Sequence, residues 1–455
     1  MRRNPLTNAK LIQKELEKYV KNQTLGIKSV ATAVSQHILR YDMRFIANFS
    51  TVVPKQNLLI VGESGCGKTL TFSKIEELLK HNNIEIPIAK INSLSYAPTD
   101  SWAGTTFTFV FDMLVDAAAE IYFKNYGYDD PHDIQESIII DIVEHGIILI
   151  DEFDKLNLNS NEHKKFCYDY QSNLLKAIEG NEYYIDYTYE NTVPVADPDD
   201  GHIEYRDIKI NFNNIRINSE NIMFVFLGAF TGIDRIVKHR LMNDWQKTHK
   251  PAPVINDKHW EYQQNHIGFL ATPHSNATDT KNKKSETDEP HFSDEQLIPT
   301  SDDIIQYGIM KELVGRIPVI TMYKRLSTKG LMHILTDCEA SPLNEFKMRF
   351  SAMGHQLEWD TSAVRWFAER SIALGLGARG LRRILSETLT ESLYELSAET
   401  EPHICRITGK LLKSGKPPII EKRSQKRQQN KQNTQSDAEI MEIINNSTIR
   451  KAETA

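Results

Sequence analysis

The sequence has few cysteines, no long apolar run and no excess of positive charge. Its four cysteines are far apart and form no Cys-x-x-Cys pair, which argues against a disulfide framework or a zinc site and favours a reducing compartment. No apolar run reaches the roughly 18 residues that a membrane span requires, and no apolar segment follows the basic N-terminal residues as in a secretory signal. The net charge of −7 argues against a surface built mainly to bind nucleic acid. We therefore expect a cytoplasmic protein with no membrane partner.

The size and composition are those of an ordinary globular protein. The chain has 455 residues, of which 40% are hydrophobic and 25% charged, enough for two or three domains. Three parts are expected: a large nucleotide-binding domain over 1–322 with a mobile insertion over 240–302, a smaller domain over 323–420, and a disordered polar tail over 421–455.

One stretch joins a short apolar run to a glycine-rich turn and a helix. Leu58 to Val61 has the pattern of a buried strand, and Leu70 to Leu79 has the apolar spacing of a helix. Between them, residues 62–69 match Gly-x-x-x-x-Gly-Lys-Thr. Glycines let successive N–H groups point at phosphate oxygens, and the helix start adds its positive dipole. The pattern predicts an ATP site in which Lys68 neutralises the β- and γ-phosphates and Thr69 is a ligand of Mg²⁺. The other candidate nucleotide-binding residues of this stretch are Glu63, Ser64, Gly65, Cys66, Gly67 and Leu70.

A second stretch ends a buried strand with two carboxylates. Ile147 to Ile150 is apolar throughout, as in a strand of a parallel sheet, and Asp151 and Glu152 follow at its carboxyl end, where open α/β sheets bind their ligands. Asp151 is suited to hold the magnesium ion, and Glu152 to polarise the water that attacks the γ-phosphate. The alternative is a strand end capped by solvated acids, which the nucleotide-binding loop upstream disfavours.

Six motifs in order resemble the ClpX branch of the AAA+ ATPases, the hexameric protein unfoldases. They are Tyr19–Gln23, Ile150–Leu156, Gln171–Gly180, Leu227–Phe230, Glu312–Val319 and Gly377–Arg382, and the similarity covers roughly residues 8–420. The resemblance implies an α/β fold, in which a P-loop AAA+ large domain with a parallel sheet flanked by helices precedes a smaller, mostly helical α+β lid. It also implies ATP hydrolysis and a homo-oligomeric, hexameric ring.

The resemblance also assigns roles outside the two nucleotide motifs. Val20 falls in the segment that lines the family's adenine pocket. Arg316 matches the arginine that reaches the ATP site of the neighbouring subunit, although a lone arginine is more often a surface salt-bridge residue. Arg379 matches the sensor-2 arginine, which contacts the phosphates from the small domain, and a structural or helix-capping role is its alternative.

Two further matches concern the substrate and the peptidase. Trp102, with Ala103 and Gly104, stands where the family has its aromatic pore loop, with Tyr96 as the second candidate position. A core role for this tryptophan is the alternative. Ile267, Gly268 and Phe269 reproduce the tripeptide that docks ClpX on the ClpP peptidase, although a match of three residues also arises by chance.

The sequence departs from the family in two regions. Because no cysteine precedes Cys66, we do not expect the family's N-terminal zinc-binding domain. Residues 182–206 are acidic and aromatic where the family has a basic loop at the pore entrance. We predict an ATP-dependent unfoldase that threads protein substrates through a ring pore. Delivery to ClpP and peptidase-independent remodelling both remain open, and a nucleic-acid-acting AAA+ protein that uses the basic tail is the less favoured alternative.

Overall fold

The computed structural model describes residues 4–44, 53–93, 107–126, 135–159, 163–196, 203–249, 292–293, 295–338 and 341–423. The predicted pore residues Trp102, Ala103 and Gly104, the runner-up Tyr96, and the docking tripeptide Ile267–Phe269 lie outside these ranges. In the described part of the chain, no helix is long and apolar enough to cross a membrane.

The first part of the chain alternates helices and parallel strands. In chain order the elements are α1 (Ala9–Tyr19), α2 (Thr24–Asp42), β1 (Leu58–Val61), α3 (Lys68–His81), β2 (Ile88–Asn92), α4 (Phe109–Tyr126), α5 (Glu136–Glu144), β3 (Ile147–Asp151) and α6 (Lys164–Glu179). A long hairpin, β4 (Glu182–Ala196) and β5 (Ile203–Asn218), then precedes β6 (Met223–Gly228), α7 (Ile233–His249), α8 (Ser301–Tyr307), α9 (Lys311–Val314) and β7 (Val319–Met322).

Five strands form a parallel sheet in the order β2-β3-β6-β1-β7. Alternate residues of each strand belong to two different hydrophobic clusters: Leu59 and Val61 of β1 lie in one, and Leu58 and Ile60 in the other. This alternation follows from the two-residue repeat of a strand. The sheet is therefore covered by helices on both faces, as the α/β prediction requires, and its carboxyl ends share one edge.

The stretch that contains β4 and β5 could be either a hairpin or a loop from its sequence, and the structure shows a hairpin. Its two strands pair antiparallel, with an irregularity between Ile185 and Tyr187. One face packs on α4: the Phe111 and Tyr183 rings are 4.7 Å apart, and Tyr187 Oη donates to Asp116 Oδ1 at 2.7 Å. The acidic and aromatic segment is thus an extension of the large unit anchored by aromatic side chains.

Buried residues from the stretch 326–412 form a second hydrophobic core. Its elements are α10 (Thr328–Thr336), α11 (Pro342–Ala352), β8 (Gln356–Trp359), α12 (Thr361–Ala373), α13 (Gly377–Ser397), β9 (His403–Ile407), α14 (Gly409–Lys413) and β10 (Ile419–Lys422). The three strands form one sheet in the order β10-β9-β8. This arrangement is the mostly helical α+β unit expected after the large domain.

Two predicted boundaries differ from the structure. Helix α7 runs to His249 and α8 begins at Ser301, so both ends of the expected mobile insertion, 240–302, are helical. Arg240 donates to both carboxylate oxygens of Asp303 at 3.0 Å, which ties the two helices together. Strand β10 continues to Lys422 through pairing with β9, so the polar tail begins later than residue 421. Polar composition concealed both features, because these elements expose most of their side chains.

Candidate nucleotide site

The glycine-rich loop follows the carboxyl end of β1. The chain leaves the sheet at Gly62, whose N–H donates a hydrogen bond to Gly228 O at 3.0 Å. Gly65 and Gly67 have φ values of +80° and +102°, a region that side chains disfavour. A Cβ on Gly67 would lie 3.1 Å from Val20 Cγ1, so the predicted adenine-pocket residue lies directly against the loop.

Lys68 and Thr69 open helix α3 directly after this loop. Lys68 is buried, and its Nζ donates to the carbonyl oxygens of Gly62 and, at 3.0 Å, Glu63. Thr69 Oγ1 donates to Asp151 Oδ2 at 3.2 Å. A hydroxyl beside a carboxylate offers the hard oxygen ligands that Mg²⁺ prefers, with the remaining positions left for phosphate and water. The donor set therefore fits a magnesium ion bound together with a nucleotide.

Glu152 is held in a left-handed conformation next to Asp151. Its φ is +57°, which is uncommon for a residue with a side chain and costs on the order of 1–3 kcal/mol. Two bonds hold this turn: Ser93 Oγ donates to Glu152 O at 2.8 Å, and Glu152 N donates to Asp151 Oδ1 at 2.8 Å. The carboxylate itself is exposed beside the loop, where it can accept a proton from water. Ser93 supports this geometry although no sequence motif marked it.

The small unit lies across the mouth of the loop. Arg379 Nη1 donates to Ser64 Oγ at 2.9 Å, and Arg325 Nε lies 3.3 Å from Glu63 Oε2. Glu63, Ser64 and Arg325 line a cleft with Gly65, Cys66, Leu326, Ile372, Gly375 and Gly377. Two arginines thus face the loop that would hold a triphosphate. Sequence reasoning found Arg379 through its motif and missed Arg325, which stands in the connection between the two units and belongs to no recognised pattern.

Gln23 fixes the connection between the two units. Its side chain is buried, accepts a hydrogen bond from Lys324 N at 2.7 Å and donates one to Lys324 O at 2.9 Å. One residue earlier, the hydroxyls of Tyr323 and Thr71 lie 2.9 Å apart, which joins the connection to the fourth residue of α3. Burial raises the pKa of Tyr323, so this phenol stays protonated. We infer that these contacts set the orientation of Arg325 and Arg379 over the loop.

Arg316 lies at the opposite edge of the sheet. It stands three residues before β7, and Val319 is aligned with Leu58 at the start of β1, whereas the glycine-rich loop follows Val61 at its end. The four residues of β1 separate the two edges by about 13 Å at ~3.3 Å per residue. Arg316 is half-exposed, and its Nη2 pairs with Glu179 Oε1 at 2.8 Å. The structure therefore brings Lys68, Thr69, Asp151, Glu152 and Arg379 together and separates Arg316 from them.

Comparison with known proteins gives matches to both units. The family model for the "ATPase family associated with various cellular activities (AAA)" matches residues 58–196, and that for the "C-terminal, D2-small domain, of ClpB protein" matches residues 326–405. The chain is 27% identical over 402 residues to "ATP-dependent Clp protease ATP-binding subunit ClpX" of Borrelia duttonii, and equally to that of Borrelia recurrentis; each match covers 87% of this chain and 76% of the relative. The protein of the same name from Treponema denticola is 27% identical over 389 residues, 84% of this chain and 76% of the relative.

The matches agree with the site described above. The AAA model covers the glycine-rich loop and the strand that ends in Asp151, and the second model covers the unit that carries Arg379. The ClpX relatives are matched across both units. The chain is a nucleotide-binding ATP hydrolase, and it is similar to ClpX-type AAA+ ATPases over 84–87% of its length.

Proposed function

We propose that this protein is an ATP-driven protein unfoldase that works as a ring of identical subunits. The resemblance to the ClpX branch implies six subunits. The observation that carries the proposal is the separation of Arg316 from the nucleotide loop of its own chain. If the neighbouring subunit supplies its Arg316 to this site, the site is complete only in the assembly, and hydrolysis then depends on assembly.

Each site residue takes a role that its position supports. Lys68 and Arg379 neutralise the phosphates, Thr69 and Asp151 hold magnesium, and Glu152 activates the attacking water. Val20 and Leu70 contact the nucleotide beside the loop formed by Glu63–Gly67. Thr69 and Asp151 already touch through a 3.2 Å hydrogen bond, which supports their shared role. Magnesium would supply charge neutralisation at the β- and γ-phosphates.

The substrate and the peptidase belong to the same proposal. Trp102 with Ala103 and Gly104 would grip polypeptide in the ring pore, and Ile267–Phe269 would dock the ring on ClpP. The relatives are named ATP-binding subunits of a Clp protease, which supports a peptidase partner for this chain. Helix α4, which follows the proposed pore residues in the sequence, packs against the β4–β5 hairpin.

The test is ATP-dependent unfolding of a tagged, stably folded reporter by the wild-type protein and by Glu152→Gln, Trp102→Ala and Trp102→Tyr, with and without ClpP. We expect unfolding by the wild type, loss in Glu152→Gln and Trp102→Ala, and substantial retention in Trp102→Tyr, because a second aromatic ring can still grip. Conversion of unfolding into degradation by added ClpP would support the peptidase partner, and unfolding without degradation would support peptidase-independent remodelling. ATP turnover with no unfolding of any reporter would contradict the unfoldase proposal.

A further inference from the structure

Gln171 occupies a buried position between two segments that carry different functional residues. It lies on α6 and is fully shielded from solvent. Its Nε2 donates to Leu156 O at 2.7 Å, and its Oε1 accepts from Met310 N at 2.8 Å. A buried amide that uses both ends in this way fixes the distance between its two partners, since losing either bond leaves a buried polar group unpaired.

The first partner belongs to the segment that carries Glu152. Leu156 ends the short 3-10 helix Phe153–Leu156, which begins directly after Glu152. Within this turn Lys155 N donates to Glu152 O at 2.9 Å, and Ala229 N donates to Asp154 Oδ1 at 3.0 Å. A shift of the Glu152 backbone therefore moves the Leu156 carbonyl.

The second partner begins the turn that ends at Arg316. Met310 precedes helix α9, Val314 N donates to Met310 O at 3.0 Å, and Arg316 N donates to Leu313 O at 3.0 Å. This one-turn helix leaves little room for a shift at Met310 to be absorbed before Arg316.

A parallel set of bonds joins the same two segments. Leu158 N donates to Gly308 O at 2.9 Å, and Asn159 Nδ2 donates to the carbonyl oxygens of Gln306 and Tyr307 at 3.1 and 3.0 Å. A Cβ on Gly308 would lie 2.1 Å from Asn157 Oδ1, so the approach of the two segments requires glycine there. The Glu152 segment and the Arg316 segment are thus bonded into one unit, with Gln171 at its buried centre.

We propose that Gln171 is a positioning residue that transmits the state of a subunit's own ATP site to Arg316, and hence to the ATP site of the neighbouring subunit. The inference rests on the proposed function, because it needs Arg316 to act in trans. Its consequence is cooperative hydrolysis: one subunit's nucleotide state would set the rate of the next.

The experiment compares ATP turnover by the full-length wild type, Gln171→Glu and Asn173→Asp. Gln171→Glu keeps the shape and the acceptor, and its ionised carboxylate cannot donate to Leu156 O, whereas Asn173→Asp makes the same amide-to-acid change on another face of the same helix. We expect the Hill coefficient for ATP to fall to about 1 in Gln171→Glu, with half-saturation within about twofold of the wild type, and to stay unchanged in Asn173→Asp. Titrating Glu152→Gln subunits into each assembly should reduce turnover steeply for the wild type and only in proportion for Gln171→Glu.

A second variant serves as a control for loss of folding. Asn159 is exposed, so Asn159→Ala removes the parallel amide contacts without opening the core, and it should lower the Hill coefficient in the same direction. The inference would be overturned if both variants kept the wild-type Hill coefficient and the wild-type response to added Glu152→Gln subunits. It would also be overturned if the wild type hydrolysed ATP without cooperativity. Neither result touches the reporter-unfolding test, so failure of the inference is distinguishable from failure of the proposed function.

Discussion

At the scale of single residues, the site combines three oxygen-bearing side chains that come from two separate elements. Thr69 comes from the first turn of α3, and Asp151 and Glu152 come from the end of β3. Parallel strands deliver all three to one edge of the sheet. Asp151 contacts Thr69, whereas Glu152 is turned away from the strand by its left-handed backbone and left accessible to water. We therefore expect the two adjacent carboxylates to take different tasks, because their backbones differ.

Glu152→Gln separates catalysis from binding. The amide cannot accept a proton from the attacking water, so we expect kcat for ATP to fall by about 10²–10⁴. Nucleotide affinity should stay within about threefold, because Lys68 and the loop N–H groups are untouched. Steady-state kinetics and equilibrium binding of a fluorescent ATP analogue measure the two quantities, with the exposed Glu77→Gln as the control. Equal losses in affinity and turnover would mean that Glu152 binds nucleotide instead of activating water.

We expect the free energy of unfolding to fall between neutral pH and mild acid because of the buried His37. Burial, the largest cause, lowers the pKa of His37 to about 3, and its ring bonds the carbonyl oxygen of His145 at 2.9 Å. The unfolded chain, with a pKa near 6.5, binds more protons below that pH, so this contribution to stability is present above pH ~6.5 and is lost as the pH falls. One such histidine removes about 1.4 kcal/mol at pH 5.5.

Urea unfolding at pH 7.5 and 5.5 measures this effect against two variants. His37→Gln cannot titrate, so its loss of unfolding free energy between the two pH values should be about 1.4 kcal/mol smaller than that of the wild type. The exposed His81→Gln should behave as the wild type does. Identical pH dependence in all three proteins would exclude His37 as the source.

At the scale of elements, the local sequence pattern predicted those helices and strands whose formation depends on neighbouring residues. Apolar runs and the glycine spacing predicted β1, α3 and β3, because those residues are buried on both faces or need positive φ. Strand β7 was missed: Val319–Met322 is only four residues long, is partly exposed, and is defined by its pairing with β1, a contact that spans the whole first unit. The Arg325–Glu63 pair was missed for the same reason, since it joins residues 262 positions apart that no motif connects.

The contact between α2 and the connection to the small unit should matter for both stability and nucleotide binding. Gln23→Ala removes both hydrogen bonds to the Lys324 backbone, so we expect a loss of about 1–3 kcal/mol in unfolding free energy. Because Arg325 and Arg379 are oriented through this connection, ATP affinity should also weaken. Urea unfolding and nucleotide titration measure the two effects, with Gln56→Ala, a partly exposed glutamine, as the control. Lost stability with unchanged affinity would show that the connection does not orient the arginines.

At the scale of the whole molecule, the two arginines of the motifs lie on different sides of their own nucleotide loop. Arg379 contacts Ser64 within the same chain, whereas Arg316 is held at the far edge of the sheet by Glu179 and by a bond from Asn57 Nδ2 to Arg316 O at 2.9 Å. A closed ring of identical subunits places the same pair of surfaces in contact at every interface. In such a ring we expect Arg379 to act in cis and Arg316 in trans, and this difference can be measured.

Mixing two inactive variants should restore ATP turnover only when the missing groups belong to different subunits. Arg316→Ala keeps a complete loop and Glu152, and Glu152→Gln keeps Arg316, so a site formed by the first next to the second has every group. In a random 1:1 mixture that arrangement occurs at about one site in four, so turnover should recover to at most about a quarter of the wild-type value, and to less where inactive neighbours slow the complete sites. Mixing Arg379→Ala with Glu152→Gln is the matched control: both defects lie in cis, so no site becomes complete and no recovery is expected. Absence of recovery in the first mixture, with assembly verified by size, would place Arg316 outside the neighbour's site and leave its ion pair with Glu179 as a structural contact.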